Sequence, residues 1–366
     1  MKRKLVLENG LVFEGNGFGS DCEVVSELIF NTSVVGYQEI LSDPATFNQM
    51  VCMTYPVVGS YGLTDEDYES KGITAAGVIV REYNDEPSNF RYTHKLGEVM
   101  DEQNVPGISD IDTRELTRII RDNGTMKALI CNIDKPIDEC LEMIENYVAP
   151  DSAAALISSK KVWHSRTTNP TSTVVVIDCG IKRSIVKMLN SIGANVVVVP
   201  HQIKIEEIMK YKPTGIMISD GPGDPNKLID VIELIKSLKG SLPIIGLGMG
   251  QDLIALAYGA KVVKEKVGHH GCNLPVKELE TLKIEITSQN DLYGIDKNSL
   301  NGTGLKVSHE NVIDKAVMGI SDLDNGIIAI KYSPSLDIKN PCHVMDKFSK
   351  LMKTFGGNKN AKKNRY

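Results

Sequence analysis

No apolar run in this chain approaches the ~20 residues that a membrane-spanning helix needs, so a helical membrane protein is not expected. Excess positive charge is lacking too: 41 Lys and Arg stand against 47 Asp and Glu, a net charge of -6. That balance argues against a general nucleic-acid binder. The one basic cluster, "KNAKKNRY" at the C-terminus, reads as part of a solvated tail over 353–366. Cysteine pairing is missing as well. The seven Cys, at 22, 52, 131, 140, 179, 272 and 342, include no C-x-x-C, which suggests neither a zinc site nor a disulfide framework. The start "MKRKLVLENG" carries the charge of a signal sequence, but Glu8 and Asn9 interrupt the apolar core one requires. No internal repeat is visible. What remains is a reduced, cytoplasmic globular protein. Its 42% hydrophobic content suffices for substantial cores, and 366 residues make two domains the default.

The first half reads as mixed α and β. "KLVLENGLVFEG" places two short strands around Asn9-Gly10, a two-residue hairpin signal. "EVVSELIFNTS", "QMVCMTYP" and "AAGVIVREY" are further strand candidates. In "DTRELTRIIRDNG", Leu116, Ile119 and Ile120 have helical spacing, with Asp112 to cap and Gly124 to stop. A strand "MKALICNI" and a helix "IDECLEMIENYV" follow, which bounds a domain over 1–148. Residues 149–172 lack clear periodicity and are rich in Ser, Thr, Ala and Pro, so a linker is expected there.

From 173 to 352 strand and helix alternate. "TVVVIDCG", "ANVVVVP", "TGIMISDGPGDP" and "LPIIGLGMG" are apolar without polar alternation, the pattern of strands buried on both faces. A doubly wound, mostly parallel sheet is expected, with ligands at the carboxyl ends of its strands. Both glycine loops, "SDGPGDP" and "GLGMGQD", fall there. The second is a glycine-spaced strand-to-helix turn, a geometry that exposes its central residue above the sheet. Gly246 and Gly250 supply the small flanks such a turn needs, yet the centre, where a nucleophile would stand, is Gly248.

"SDGPGDP" followed by "PIIGLGMGQDLIALAYGAKVVKEKVGHHGCNLPV" resembles the glutaminase domain of class I glutamine amidotransferases, in particular the small subunit of carbamoyl phosphate synthetase. "FNTSVVGYQEILSDP", "MTYPVVGSYG", "EPSNFR", "DIDTRELTR" and "GTMKALI" are similar to that subunit's own N-terminal domain, so the likeness covers nearly the whole chain. It implies a mixed α+β domain followed by a class I amidotransferase domain. It also implies a chemistry: an elbow cysteine attacks the glutamine amide, helped by a His and a Glu, and ammonia passes to a large subunit. That partner would make carbamoyl phosphate from ammonia, bicarbonate and ATP. ATP and a divalent cation belong to the large subunit, and no cofactor is implied for this chain.

Carried over residue by residue, the family's G-x-C-x-G falls on Gly246 to Gly250, which puts Gly248 at the nucleophile. The C-terminal H-P-E falls on "SPS", with Ser333 at the base and Ser335 at its orienting acid. All three catalytic side chains are absent. The glutamine-contacting positions change too. Ala45 replaces a Ser, Asp252 a Gln, and Asp220 the Asn before the glycine loop, while Gly221 and Gly223 survive. Met249 follows the elbow centre. "QNDLY" stands for Q-N-H-G-F, keeping Gln289 and Asn290 and bringing Asp291, Leu292 and Tyr293.

Cys272, beside His269 and His270 in "GHHGCN", lies ~20 residues past the elbow and reads as a buried or inert thiol. The two histidines read as loop-shaping. Asp291 and Asp252 are cation candidates without a second carboxylate fixed nearby. Three functions stay open: a small subunit that has lost glutaminase activity but still assembles with the large subunit, a stand-alone ligand-binding protein, and an amidotransferase with unorthodox residues.

Overall fold

The computed structural model of the chain describes residues 1–334 and 342–363, with side chains up to residue 355. Two compact units divide at Met1–Asp151 and Ser152–Tyr366.

In the first unit β1 (Lys2–Leu7) and β2 (Val12–Gly19) form the expected hairpin. Its loop has three residues, not two: Leu7 N donates to Leu11 O at 2.9 Å and Gly10 takes φ 85°. A left-handed residue closes two- and three-residue loops alike, so Asn-Gly marks the turn without setting its length. There follow β3 (Val24–Asn31), α1 (Tyr37–Leu41), β4 (Gln49–Met53), β5 (Val57–Val58), β6 (Gly77–Ile79), β7 (Glu82–Tyr83) and α2 (Leu96–Glu102). Then come β8 (Pro106–Ser109), α3 (Thr113–Asn123), β9 (Met126–Asn132) and α4 (Ile137–Asn146). Seven strands close into a barrel in the order β1-β2-β8-β6-β4-β3-β9, while β5 and β7 pair separately. Leu5, Leu7, Leu28, Met50 and Ile79 are fully buried in this unit, each such side chain stabilising by about 1.5–3 kcal/mol. The ends of α3 are those read from sequence. Asp112 accepts from Glu115 N at 2.9 Å, Gly124 terminates at φ 100°, and Leu116 and Ile120 are buried.

The second unit begins in the stretch expected as a linker, which carries α5 (Ala153–Ile157) and β10 (Trp163–Ser165). The backbone N–H and hydroxyl of Ser159 both donate to Asp178, at 2.9 and 2.5 Å. The elements continue with β11 (Ser172–Asp178), α6 (Arg183–Ser191), β12 (Ala194–Pro200), α7 (Ile205–Lys210), β13 (Gly215–Ile218), α8 (Ile229–Leu238) and β14 (Ile244–Leu247). They end with α9 (Met249–Ala257), β15 (Val262–Glu278), β16 (Ile284–Ile295), β17 (Lys306–Asn311), β18 (Val317–Asp322), β19 (Ile327–Ile330) and α10 (His343–Lys363). The expected tail over 353–366 is thus helical backbone as far as Lys363.

A ten-stranded sheet runs β10-β12-β11-β13-β14-β19-β18-β17-β15-β16. The stretch from β12 to β19 is parallel, as the apolar strands predict, and β18 to β16 is antiparallel. Ile208, Val231, Ile235 and Ile254, from α7, α8 and α9, pack on one face, and Ile185, Leu189 and Phe348, from α6 and α10, on the other. Helices on both faces make the sheet doubly wound. The histidines expected to shape a loop lie inside β15 instead. Among the described residues no helix is long and apolar enough to cross a membrane.

Candidate functional site

The strand β14 enters Gly248 from below and α9 leaves it. Gly248 adopts φ 54°, ψ -119°, a conformation strained for any side-chain-bearing residue. The flanking glycines are required by close approach: a Cβ at Gly246 would stand 2.6 Å from Gly250 O, and one at Gly250 would stand 2.3 Å from Ile218 O. The backbone therefore has the shape of a nucleophile elbow, at the carboxyl end of the parallel strands.

What occupies it is a carboxylate. Asp220 follows β13, and its Oδ1 accepts from Gly221 N at 2.8 Å and from Met249 N at 2.9 Å. In an elbow enzyme the N–H after the nucleophile and an N–H from a neighbouring loop are the pair that hold the oxyanion. Here the negative oxygen they hold belongs to the protein. The N-terminus of α9 adds its partial positive charge to the same oxygen. A Cβ built on Gly248 would lie 2.1 Å from Asp220 Oδ1 and 2.2 Å from its Cγ. The space of a nucleophilic side chain is filled.

Asp220 Oδ2 lies 3.8 Å from Lys182 Nζ, which donates to Ser333 Oγ at 3.3 Å. Lys182 and Ser333 are joined to the elbow by a cavity of about 10 Å³ whose lining includes Asp220, Leu247, Gly248 and Tyr332. That is room for a single water, far below the ~300 Å³ at which small-molecule pockets begin. Ser333 N also donates to Ser288 O at 2.9 Å, which fixes the loop after β19. Among the described residues no imidazole lines this cavity. Ser335 lies outside the described residues.

Beneath the elbow, the Lys331 ammonium donates to Asp252 Oδ2, with side chains only 3% and 1% exposed. Burial raises Asp252 to about 7 against the pull of Lys331. Burial opposes the charge on Lys331, and Asp252, Asp291 and Asp220 more than restore it, so the pair is best described as ionised. Asp252 is therefore a buried partner of a lysine and not an open cation ligand. Asn290 Oδ1 faces His270 Nδ1 at 2.7 Å, and Gln289 Nε2 donates to Thr287 Oγ1 at 2.8 Å. Leu292 is buried and Tyr293 half-buried on β16. Gly221 and Gly223 border the Asp220 loop. Ala45 lies in the first unit, buried in the short 3-10 turn Pro44–Thr46.

Residues 5–130 match the family described as carbamoyl-phosphate synthase small chain, CPSase domain, and residues 175–336 match glutamine amidotransferase class-I. The carbamoyl phosphate synthase pyrimidine-specific small chain of Bacillus subtilis is 40% identical over 356 residues, 97% of each chain. That of Halalkalibacterium halodurans is 39% identical over 97% of this chain and 98% of its own. The small chain of Staphylococcus saprophyticus is 41% identical over 91% of this chain and 90% of its own. The chain belongs to the carbamoyl phosphate synthase small-chain family.

Of the family positions named from sequence, the structure brings Gly221, Gly248, Met249 and Ser333 together around Asp220. Sequence reasoning noted Asp220 as a replacement but not as the occupant of the elbow, and it missed Lys182 and Lys331. Cys272 is an exposed thiol on β15, not a buried one, and it does not line the elbow cavity.

A second cluster surrounds His269. Its Nδ1 lies 3.3 Å from both Asp291 Oδ1 and Glu265 Oε2, and its Nε2 lies 2.7 Å from Asp314 Oδ2. Burial disfavours the imidazolium, but Asp291, Glu265 and Asp314 raise the ring to about 10. Burial and the neighbouring Asp291 also raise Glu265. Glu265 is the second carboxylate that was lacking in the sequence reading. Four residues of β15, 265–268, bulge opposite Leu292 alone, and that bulge delivers it.

Proposed function

We propose that this chain is the small subunit of a carbamoyl phosphate synthase and that it assembles with a large subunit without hydrolysing glutamine. Ammonia would then be the nitrogen source for carbamoyl phosphate, made with bicarbonate and ATP in the cytoplasm for arginine and pyrimidine biosynthesis. The observation that carries the loss of hydrolysis is the Asp220 carboxylate, bonded to the two amides that an oxyanion would need and seated where a nucleophile's Cβ would be. Acyl transfer from glutamine requires a thiolate to attack the amide and an acid to protonate departing ammonia. Gly248 supplies no nucleophile, and Ser333 stands beside a lysine instead of an imidazole. In a protease, removing such a triad costs on the order of 10⁶ in kcat even with the oxyanion hole intact. Here the hole is filled as well.

Assembly is supported by the first unit, which matches the small-chain description over 5–130 and contains none of the elbow residues Gly246 to Gly250. Obligate subunit interfaces bury roughly 2,000 Å² or more, so docking can outlast a pocket in the other unit. The test is reconstitution with the large subunit from the same source, with glutamine and ammonia assayed in parallel. A complex active with ammonia and silent with glutamine is expected. Glutamate production by the purified chain would refute the loss of hydrolysis. Failure to associate at micromolar concentration would refute the subunit role and favour a stand-alone ligand-binding protein.

A further inference from the structure

The His269 cluster is built by a distortion. In a regular strand the Cα atoms of residues four apart are separated by about 13 Å. The bulge in β15 brings Glu265 and His269 to one point, and it depends on Gly268 at φ 65°, where a Cβ would stand 2.0 Å from Asp291 O. Asp291 comes from the facing strand, in direct register with His269. Asp314 comes from the turn between β17 and β18. Three chain segments thus converge on one imidazole.

Their spacing matches a coordination shell better than a hydrogen-bonded one. One atom each from Glu265, His269 and Asp291 lie within 4.8 Å of one another. A proton on Nδ1 could point at only one of the two oxygens, and 3.3 Å is long beside the ~2.8 Å of charge-assisted hydrogen bonds. Ligand atoms about 2.1 Å from a tetrahedral metal are about 3.4 Å apart, close to the 3.3 Å that separates His269 Nδ1 from each of the two carboxylate oxygens. The other ring nitrogen is set up as in metal sites: Nε2 meets the Asp314 carboxylate at 2.7 Å, the outer contact that fixes tautomer and orientation. A separate observation points the same way. The Asp291 side chain is 7% exposed, and its Oδ2 has no hydrogen-bond partner among the described residues, a costly arrangement unless something cationic satisfies it. Lys331 feels Asp291 electrostatically but donates to Asp252. Three carboxylates against one imidazole leave excess negative charge.

We propose that His269 Nδ1, Glu265 and Asp291 bind one divalent transition-metal cation of the zinc class, with Asp314 orienting the histidine. Mixed nitrogen and carboxylate donors suit such an ion better than magnesium or calcium, which prefer oxygen alone. The cation pins the bulge of β15 to β16. This inference does not depend on the loss of glutamine hydrolysis or on the partner.

The full chain, stripped with a chelator and dialysed, is titrated with Zn²⁺ by calorimetry and with Co²⁺ while its visible spectrum is recorded. One equivalent of Zn²⁺ at micromolar affinity or tighter is expected, with Co²⁺ giving the intense bands of a four-coordinate ion. The near-isosteric Asp291→Asn and Glu265→Gln should each weaken binding at least about 10-fold, and Asp314→Asn about 10- to 100-fold. Melting curves in chelator identify any variant that fails to fold, and the other ligand variant then carries the test. Absence of uptake at about 100 μM Zn²⁺ would leave an imidazolium among carboxylates and overturn the proposal. Equal affinity in both ligand variants would place the ion elsewhere, such as on exposed Cys272, and overturn it too.

Discussion

Two charged groups in the second unit make an instructive pair. Over the elbow, Asp220 has two backbone amides on one oxygen and Lys182 near the other, and the adjoining cavity has room for one water. In the bulge of β15, three carboxylates share one imidazole, and Asp291 keeps an oxygen without a hydrogen-bond partner among the described residues. Both groups are assembled from separate segments of the chain. In the first, each oxygen of the carboxylate has a partner among the described residues. The second leaves charge and a lone pair over. A buried charge marks a binding site through what is unfinished about it, and burial by itself does not.

The comparison can be broken most severely at the base of the elbow. Lys331→Met leaves Asp252 buried without its counter-charge, and a loss of about 3–5 kcal/mol is expected near pH 8. The sign of its pH dependence follows from Asp252, whose folded pKa of about 7 lies above its ordinary value of 3.8. Lys331 lowers that value, so Asp252 of the variant keeps its proton to still higher pH. Both proteins are protonated at this carboxyl well below 7, and the penalty should shrink as pH falls from 8 towards 7 and stay level below. Urea denaturation at pH 8 and pH 5 checks it, and an equal loss at both would show that Asp252 does not titrate there.

Gly248→Cys is expected to be the next most costly change. The new Cβ carries elbow strain of about 1–3 kcal/mol and displaces Asp220 from its two amides. Glutamate production should stay at the buffer blank. Combining it with Asp220→Ala should cost less than the two single losses summed, with a coupling of about 0.5–3 kcal/mol. Additive losses in a denaturation cycle would mean that the carboxylate does not fill the elbow.

The smallest effect sharpens the contrast. In chelated protein, Asp291→Asn should shift stability by no more than about 1 kcal/mol, because it relieves like-charge crowding while giving up one long contact. A loss as large as that of Lys331→Met would show that the bulge cluster is as complete as the elbow.

Much of this was legible in the sequence, for local reasons. Unbroken Val and Ile runs gave the parallel strands. Asp112 and Gly124 gave the ends of α3, and Gly246 with Gly250 located the elbow. The absence of Cys at Gly248 and of His at Ser333 was equally plain. What stayed hidden depends on approach in space. Asp220 reads as one more substitution until β13 and β14 lie side by side and bring it to Gly248. Glu265 draws no notice in the sequence, because only the positive φ of Gly268 folds the chain back to His269. Burial of Lys331 against Asp252 cannot be inferred from either residue's neighbours in the chain.

The closed barrel of the first unit governs how that unit can meet another molecule. Its seven strands hydrogen-bond in a ring, so the barrel itself offers no row of free N–H and C=O groups onto which a foreign strand could add, and the separate pair β5 and β7 is only two residues long. Large apolar side chains are instead offered outside the strands: Val34 and Val35 are 58% and 67% exposed before α1, and Phe90 is 96% exposed between β7 and α2. Recognition here would read the shape of these loops, free of any strand register, and a change of one loop residue could alter a contact without threading through the barrel wall.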